Sequence, residues 1–342
     1  MGVQLKHLNE QVIVLTGATS GIGLVTTRMA AERGAKLVLA ARNEEALRKL
    51  TNEINSAGGD SIYVVADVGS EGDVKKIASE ALSKFGNFDT WVNNAGVSIY
   101  GMLEEVAIDD FRRLFETNFW GVVYGSLVAV RNLKIHGGAL INIGSTVSDR
   151  AIPLQGMYSA SKHAVKGFTD ALRVELEADE AMISVTLIKP SAIDTPYKHH
   201  AKNYLPHKPE NPPPVYAPET VAEAILHCAA NPVRDVFVGA GGKALSVAGQ
   251  YAPRLTDLYM ENAMIAGQQK EETAGIGAKE SLYESHDSSL SERGGYEGHV
   301  AESSLYTSAS LHPTITSAVA TGAALALGAG LAYSILRRNQ SH

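Results

Sequence analysis

A chain of 342 residues with 45% hydrophobic and 20% charged content can bury one large domain with appendages, and is neither disordered nor fibrous. Its net charge of −7, with the basic residues scattered, argues against a nucleic-acid partner. The single cysteine, Cys228, excludes an internal disulfide framework and a cysteine-rich metal site, and reads as a small buried hydrophobe on a helix.

The start of the chain has no apolar stretch behind a basic one. No secretory signal is therefore expected, and the folded part is assigned to a reducing, cytoplasmic compartment. Residues 11–16, an apolar and β-branched run, predict a fully buried parallel strand. The strand runs into Gly17-Ala18-Thr19-Ser20-Gly21-Ile22-Gly23 and then a helical pattern through Ala31. Strand, glycine turn and helix form the context of a dinucleotide loop. The glycines admit the pyrophosphate, and the helix N-terminus offers it free N–H groups, with Thr19, Ser20 and Ile22 in the same loop. A plain glycine-rich turn is the competing reading.

A second strand, Lys36 to Ala41, is followed by Arg42. An NAD site usually ends this strand with an acid for the ribose 2′-hydroxyl. A guanidinium suits a 2′-phosphate instead, which favours NADP over NAD unless Arg42 merely solvates the next helix, Glu44 to Ser56. Ser61 to Val65 is a third strand, with Asp67 and Val68 at its carboxyl end, where ligands collect in open α/β sheets. Asp67 is suited to accept from the adenine amine or to cap a helix starting near Glu71. A fourth strand, Asp89 to Val92, leads to Asn93-Asn94-Ala95-Gly96. The small residues let a cofactor pass over the strand end, and the asparagines can bridge strands.

Farther on, Tyr158-Ser159-Ala160-Ser161-Lys162 puts a phenol and an ammonium four residues apart, on one helix face. Moving a phenol from its ordinary pKa near 10 toward neutrality requires about 4 kcal/mol in favour of the phenolate. A fixed lysine cation can contribute to this. The spacing alone is common on surface helices.

TGxxxGIG at Thr16 to Gly23, NNAG at Asn93 to Gly96 and YxxxK at Tyr158 to Lys162, in this order, resemble the short-chain dehydrogenase/reductase family over roughly residues 8–250. The resemblance implies two further catalytic positions. Asn118 would hold a water in a proton relay, and Ser145, after a buried strand, would bond the substrate oxygen as charge develops on it. Thr146 and Ser148 are further hydroxyls, and the strand-end position favours Ser145. It also implies hydride transfer between the nicotinamide and a carbonyl or secondary alcohol, with Tyr158 as acid or base and Lys162 lowering its pKa and bonding the nicotinamide ribose. No metal is implied.

A strand from Ile183 to Ile188 precedes Pro190-Ser191, where the family usually has Pro-Gly. The serine puts the backbone around the nicotinamide in question, while Ile193 and Thr195 match contacts to the carboxamide and phosphate side. Residues 197–218, rich in proline and histidine, lie where the family places a substrate lid. The pair His199-His200 lacks the neighbours of a metal site and reads as solvated loop. A helix from Pro218 to Ala230 and a strand from Asp235 to Val238 complete the pattern.

The resulting expectation is a Rossmann-type doubly wound parallel α/β sheet of about seven strands over residues 1–250. An accessory helix at 251–269 has Leu255, Leu258, Met264 and Ile265 at helical spacing, and 270–312, rich in Glu, Ser and Gly, reads as a flexible linker. The last part, 313–342, contains the uncharged stretch 315–336. It is long enough for a membrane anchor but dominated by small residues, so a helix docking on protein is the alternative. The predicted function is an NADP-preferring oxidoreductase acting on a small carbonyl or alcohol, forming homo-oligomers through the helices of Asn118 and Tyr158. The alternatives are a cofactor-binding regulatory or scaffold protein, or an extended-type nucleotide-sugar epimerase or dehydratase. The latter would carry TGxxGxxG and a larger substrate domain.

Overall fold

The computed structural model describes residues 2–273, 280–285, 289–312 and 316. Seven apolar runs form strands β1 (Val12–Thr16), β2 (Lys36–Ala41), β3 (Ser61–Val65), β4 (Thr90–Asn93), β5 (Gly138–Ile143), β6 (Ile183–Pro190) and β7 (Asp235–Val238). They lie in the order β7-β6-β5-β4-β1-β2-β3, every neighbour parallel. This is the predicted doubly wound sheet. Its strand order reverses between β1 and β4, where the carboxyl ends leave a crevice for a ligand.

The main helices are α1 (Gly21–Glu32), α2 (Glu44–Ser56), α3 (Glu71–Phe85), α4 (Ile108–Phe115), α5 (Gly121–His136), α6 (Gly156–Ala178), α7 (Pro218–Ala230), α8 (Ala240–Tyr251), α9 (Pro253–Tyr259) and α10 (Leu305–Leu311). Side chains alternate across a strand, so β1 feeds both core layers. Ile13 and Leu15 pack with Leu24 of α1, Leu50 of α2 and Ile225 of α7. Val12 and Val14 pack with Ile77 of α3, Leu133 of α5 and Leu172 of α6. Cys228 is buried on α7 in the first of these layers, where burial pushes its thiol up to about 12.

Polar side chains tie the strand ends together. Asn93 on β4 accepts from the Trp91 indole N–H at 2.8 Å, and donates to Asn142 on β5 at 2.8 Å and to Ser126 at 3.1 Å. Asn94 donates to the carbonyls of Thr16 at 3.0 Å and Gly17 at 3.2 Å, fastening β4 to the glycine turn. Both asparagines thus bridge strands. Helix starts follow their caps, with Asn43 accepting from Ala46 N–H on α2 and Ser70 from Asp73 N–H on α3. Ser70, and not Asp67, therefore caps α3.

Beyond β7 the sequence expectations need correction. Ala252, with φ −135° and ψ 58°, breaks the helical run, so the boundary at residue 250 falls inside α8. A single π-turn, Met260–Met264, follows α9 and rotates the residues after it. Met260 and Met264 are buried, whereas Leu255 and Leu258 are exposed.

The described residues of 270–312 are packed, contrary to the linker expectation. Residues Gln269–Thr273 pair with His207–Pro209, and Val300–Ala301 pair with Val215–Tyr216, which in turn pair with Ala192–Ile193. On α10, Thr307 accepts from Gly239 N–H at 3.1 Å and donates to the Phe237 carbonyl at 3.3 Å. The loop 197–218 is tied down by the same short pairings. The stretch 315–336 lies outside the described residues except for Thr316. Among the described residues no helix is long and apolar enough to cross a membrane.

Asn93→Ala is expected to leave the Trp91 N–H and the Asn142 side chain short of partners, at a cost of about 2–4 kcal/mol. Denaturant unfolding of the variant against wild type measures this loss. An unchanged midpoint would show that the tie contributes nothing to stability.

Candidate active site

A cavity of about 660 Å³ opens at the carboxyl ends of β1, β4, β5 and β6. Its first wall is the glycine turn. Gly17 has φ +69°, and a Cβ there would lie 2.8 Å from Ala95 Cα. A Cβ on Gly23 would lie 2.0 Å from the Gly17 carbonyl oxygen. The first glycine thus permits the turn against β4, and the last lets α1 close onto it. Thr19, Ser20, Gly21 and Ile22 face the same space.

The other predicted contacts line this one cavity as well: Arg42, Asp67 and Val68 at one end, Asn94, Ala95 and Gly96 along the floor, and Pro190, Ile193 and Thr195 opposite. Ser191, substituted for the family's glycine, keeps its backbone out of the left-handed region that would demand one. Asp67 accepts from Arg113 at 2.5 Å and from Gly69 N–H at 2.9 Å.

At the far end, Tyr158 and Lys162 project from adjacent turns of α6, with the ammonium 5.8 Å from the ring centroid. The Lys162 ammonium donates to the Ile143 carbonyl at 2.9 Å, and burial brings its pKa down to about 8. Burial pushes the Tyr158 phenol up, and hydrogen bonding with Tyr197 and Ser145 pulls it back. Ser145 lies two residues beyond β5, where it caps the turn Thr146–Ser148 and accepts from Val147 N–H at 3.3 Å. Its neighbour Ser148 is turned to accept from Ser145 N–H at 3.1 Å.

Asn118 stands behind this wall rather than on it. It occupies a π-turn, Glu116–Trp120, set between α4 and α5. Its side chain accepts from Val97 N–H at 2.8 Å and donates to the Val97 carbonyl at 2.9 Å. A Cβ on Gly96 would lie 3.4 Å from its Oδ1 and 3.9 Å from Lys162 Nζ, so both side chains border Gly96.

Several site residues escaped the sequence reading. The Tyr197 hydroxyl donates to the Val97 carbonyl at 2.8 Å, with its ring centroid 5.9 Å from that of Tyr158, and burial holds its pKa well above the ordinary phenol value. Gln155 donates to Gln268 at 2.7 Å, and Gln268 donates onward to the Pro153 and Met264 carbonyls. Near the C-terminal part of the chain, Ser281, Ser285 and Ser289 also reach the site wall.

The residues present fit a nicotinamide dinucleotide. The donors along the wall are the α1 N-terminus, the Arg42 guanidinium and the Lys162 ammonium, a set that suits phosphate and ribose oxygens. Thr117 adds a buried hydroxyl on this wall with no hydrogen-bond partner.

A family profile described as short chain dehydrogenase matches residues 11–204. The chain belongs to the short chain dehydrogenase family. A relative from Bacillus subtilis (strain 168), described as an uncharacterized oxidoreductase YxnA, is 48% identical over 323 residues, 94% of this chain and 90% of the relative. Among solved structures, an alcohol dehydrogenase from the archaeon Thermococcus sibiricus, complexed with 5-hydroxy-NADP, is 28% identical. It superposes with a TM-score of 0.59 over 66% of this chain and 95% of its own. A short chain dehydrogenase/reductase from Burkholderia phymatum, in complex with NAD, shares the fold with a TM-score of 0.63 at 24% identity, over 78% of this chain and 98% of its own. This short-chain dehydrogenase is therefore a nucleotide-binding oxidoreductase that acts on a small molecule.

Lys162 sheds its proton more readily in the folded chain than in the unfolded one, because burial lowers its pKa. Stability from this group therefore rises with pH between about 8 and the ordinary lysine value near 10.4. Lys162→Met is expected to raise the Tm of the nucleotide-free protein at pH 7, and the gain should shrink as pH climbs through that window. Thermal melts of both proteins at pH 7 and pH 9.5 test this. A gain that grows with pH would contradict the assigned burial cost.

Proposed function

We propose that the chain is an NADP-preferring oxidoreductase interconverting a carbonyl with the corresponding alcohol. The supporting observation is one cavity with Arg42 and the glycine turn at one end and Ser145, Tyr158 and Lys162 at the other. Bound nicotinamide dinucleotide supplies or accepts hydride at carbon. Everything else falls to the chain's own side chains.

In the reductive direction Tyr158 holds the proton destined for the substrate oxygen. Its buried, raised pKa keeps the phenol protonated at neutral pH, which suits an acid. Ser145 donates a hydrogen bond to that oxygen as negative charge grows on it. Lys162, with its pKa brought down to about 8, still carries its charge at pH 7 and favours the phenolate left behind. Asn118 holds the Val97 backbone and, through the π-turn, the floor beside Lys162. Arg42 supplies the cation for a 2′-phosphate.

The cavity walls include the apolar and aromatic side chains of Tyr100, Val147, Ile152, Tyr197, Tyr259 and Met264. These surfaces favour an apolar carbonyl compound over a charged one. Pairing of protomers through α5 and α6 is supported by Leu127 on α5, Val174 on α6 and Trp120 at the end of the π-turn before α5, all of which are exposed.

Fluorescence titration with NADPH and NADH is expected to show that Arg42→Ala lowers the preference for NADPH by at least about tenfold. Tyr158→Phe is expected to bind both nucleotides normally while lowering kcat on an apolar ketone panel by about a hundred- to ten-thousand-fold. Full turnover without the phenol would remove Tyr158 from the chemistry. Failure of both nucleotides to bind would overturn the reading as a whole.

A further inference from the structure

The polar segment near the C-terminus meets the nucleotide end of the cavity at Arg42. Three consecutive backbone carbonyls hold the guanidinium. Nη1 donates to Leu282 at 3.3 Å and to Tyr283 at 3.0 Å, and Nη2 donates to Ser281 at 2.5 Å. Burial lowers the pKa of this guanidinium, so its charge needs compensation from whatever faces it.

The carbonyls are fixed by their own residues. The Leu282 side chain is fully buried among Val97, Ile99, Phe111 and Leu114. Its carbonyl also accepts from Arg113 Nε at 3.1 Å. The Tyr283 hydroxyl donates to Asp110 at 2.7 Å, a carboxylate that also pairs with Lys202 at 2.7 Å. Farther along, the Ser291 carbonyl accepts from Gly21 N–H at 2.9 Å, Glu292 pairs with Arg28 at 2.6 Å, and Asp194 accepts from the N–H groups of Gly294 and Tyr296. Residues at and beyond Arg42's contact are therefore docked on the nucleotide fold.

A guanidinium uses the same N–H groups for carbonyl and for phosphate oxygens. We propose that residues 281–283 set cofactor selectivity by competing with the 2′-phosphate of NADP for Arg42. The proposal rests on the assignment of Arg42 made above. A 2′-phosphate gains its ion pair only by displacing the three carbonyls, whereas NAD has no group that needs them displaced. The segment thus narrows the preference for NADP that Arg42 alone would confer. By the same linkage, occupation by a 2′-phosphate frees the 281–283 strap from the nucleotide fold.

The test uses full-length protein. Leu282→Asp places a charge in the apolar anchor, and Leu282→Ala is a milder second variant for the event that the first does not fold. Undocking is read by limited proteolysis around residues 280–285, and dissociation constants for NADPH and NADH by nucleotide fluorescence. The ratio of the NADH to the NADPH constant is expected to rise by at least about tenfold in an undocked variant, the scale of one hydrogen bond to a charged group. The rise should vanish when Arg42→Ala is added. An undocked variant with an unchanged ratio, or with equal weakening of both nucleotides, overturns the proposal alone, provided that Arg42→Ala still lowers the ratio in wild type. Indifference to Arg42 in every variant overturns the NADP assignment and this proposal together.

Discussion

The reversal of strand order between β1 and β4 is the constraint from which the site follows. Connections leave these two strands toward opposite faces of the sheet, so neither connection covers the crevice at their carboxyl ends. The glycine turn stands on one side of that crevice and the Asn94 ties on the other. A helix N-terminus and a close backbone approach are thereby delivered to the same place by topology. Ser145 follows β5, the strand beside β4, and Tyr158 and Lys162 stand on α6, so the groups of the proposed chemistry reach the crevice from the β4 side and the glycine turn from the β1 side.

Desolvation moves the pKa values of the two key groups of α6 in opposite directions. It favours the neutral phenol of Tyr158 and the neutral amine of Lys162, yet the proposed chemistry needs the phenol as a proton donor and the amine as a cation. The first demand is met by burial alone. The second is met against burial, by the Ile143 carbonyl that accepts from the ammonium. The site thus carries a folding cost in one residue for an electrostatic property in its neighbour, as expected where function and stability compete.

The sheet was legible because strands buried on both faces are written as unbroken apolar runs, and β1, β2 and β3 begin and end within a residue or so of where those runs do. The glycine turn and the Tyr158 to Lys162 spacing were legible for a related reason: each is a local pattern. What resisted reading was nonlocal or carried by the backbone. Gln155 and Gln268 meet across 113 positions of chain. The described residues after 280 are held by backbone carbonyls and N–H groups, by polar side chains such as Tyr283 and Glu292, and by the isolated buried leucines Leu282 and Leu311, which leaves no apolar period to detect. Arg42 shows the same limit. Two partners for it could be weighed from sequence, solvent beside α2 or a phosphate, and its contact in the structure is a third, the chain's own carbonyls.

The π-turns at Glu116–Trp120 and Met260–Met264 each insert one residue more per turn than an α-helix holds. In the first, the surplus residue sets the azimuth of Asn118 relative to α4, so the orientation of that amide is written in the count of residues and not in their identity. Such information is invisible to substitution and vulnerable to deletion. Loss of any one residue from that turn would let the helix relax into a more regular ladder and carry Asn118 around the axis, away from Val97. A more regular helix would be the less competent one, and natural variation in this stretch should tolerate exchange of side chains far better than change of length.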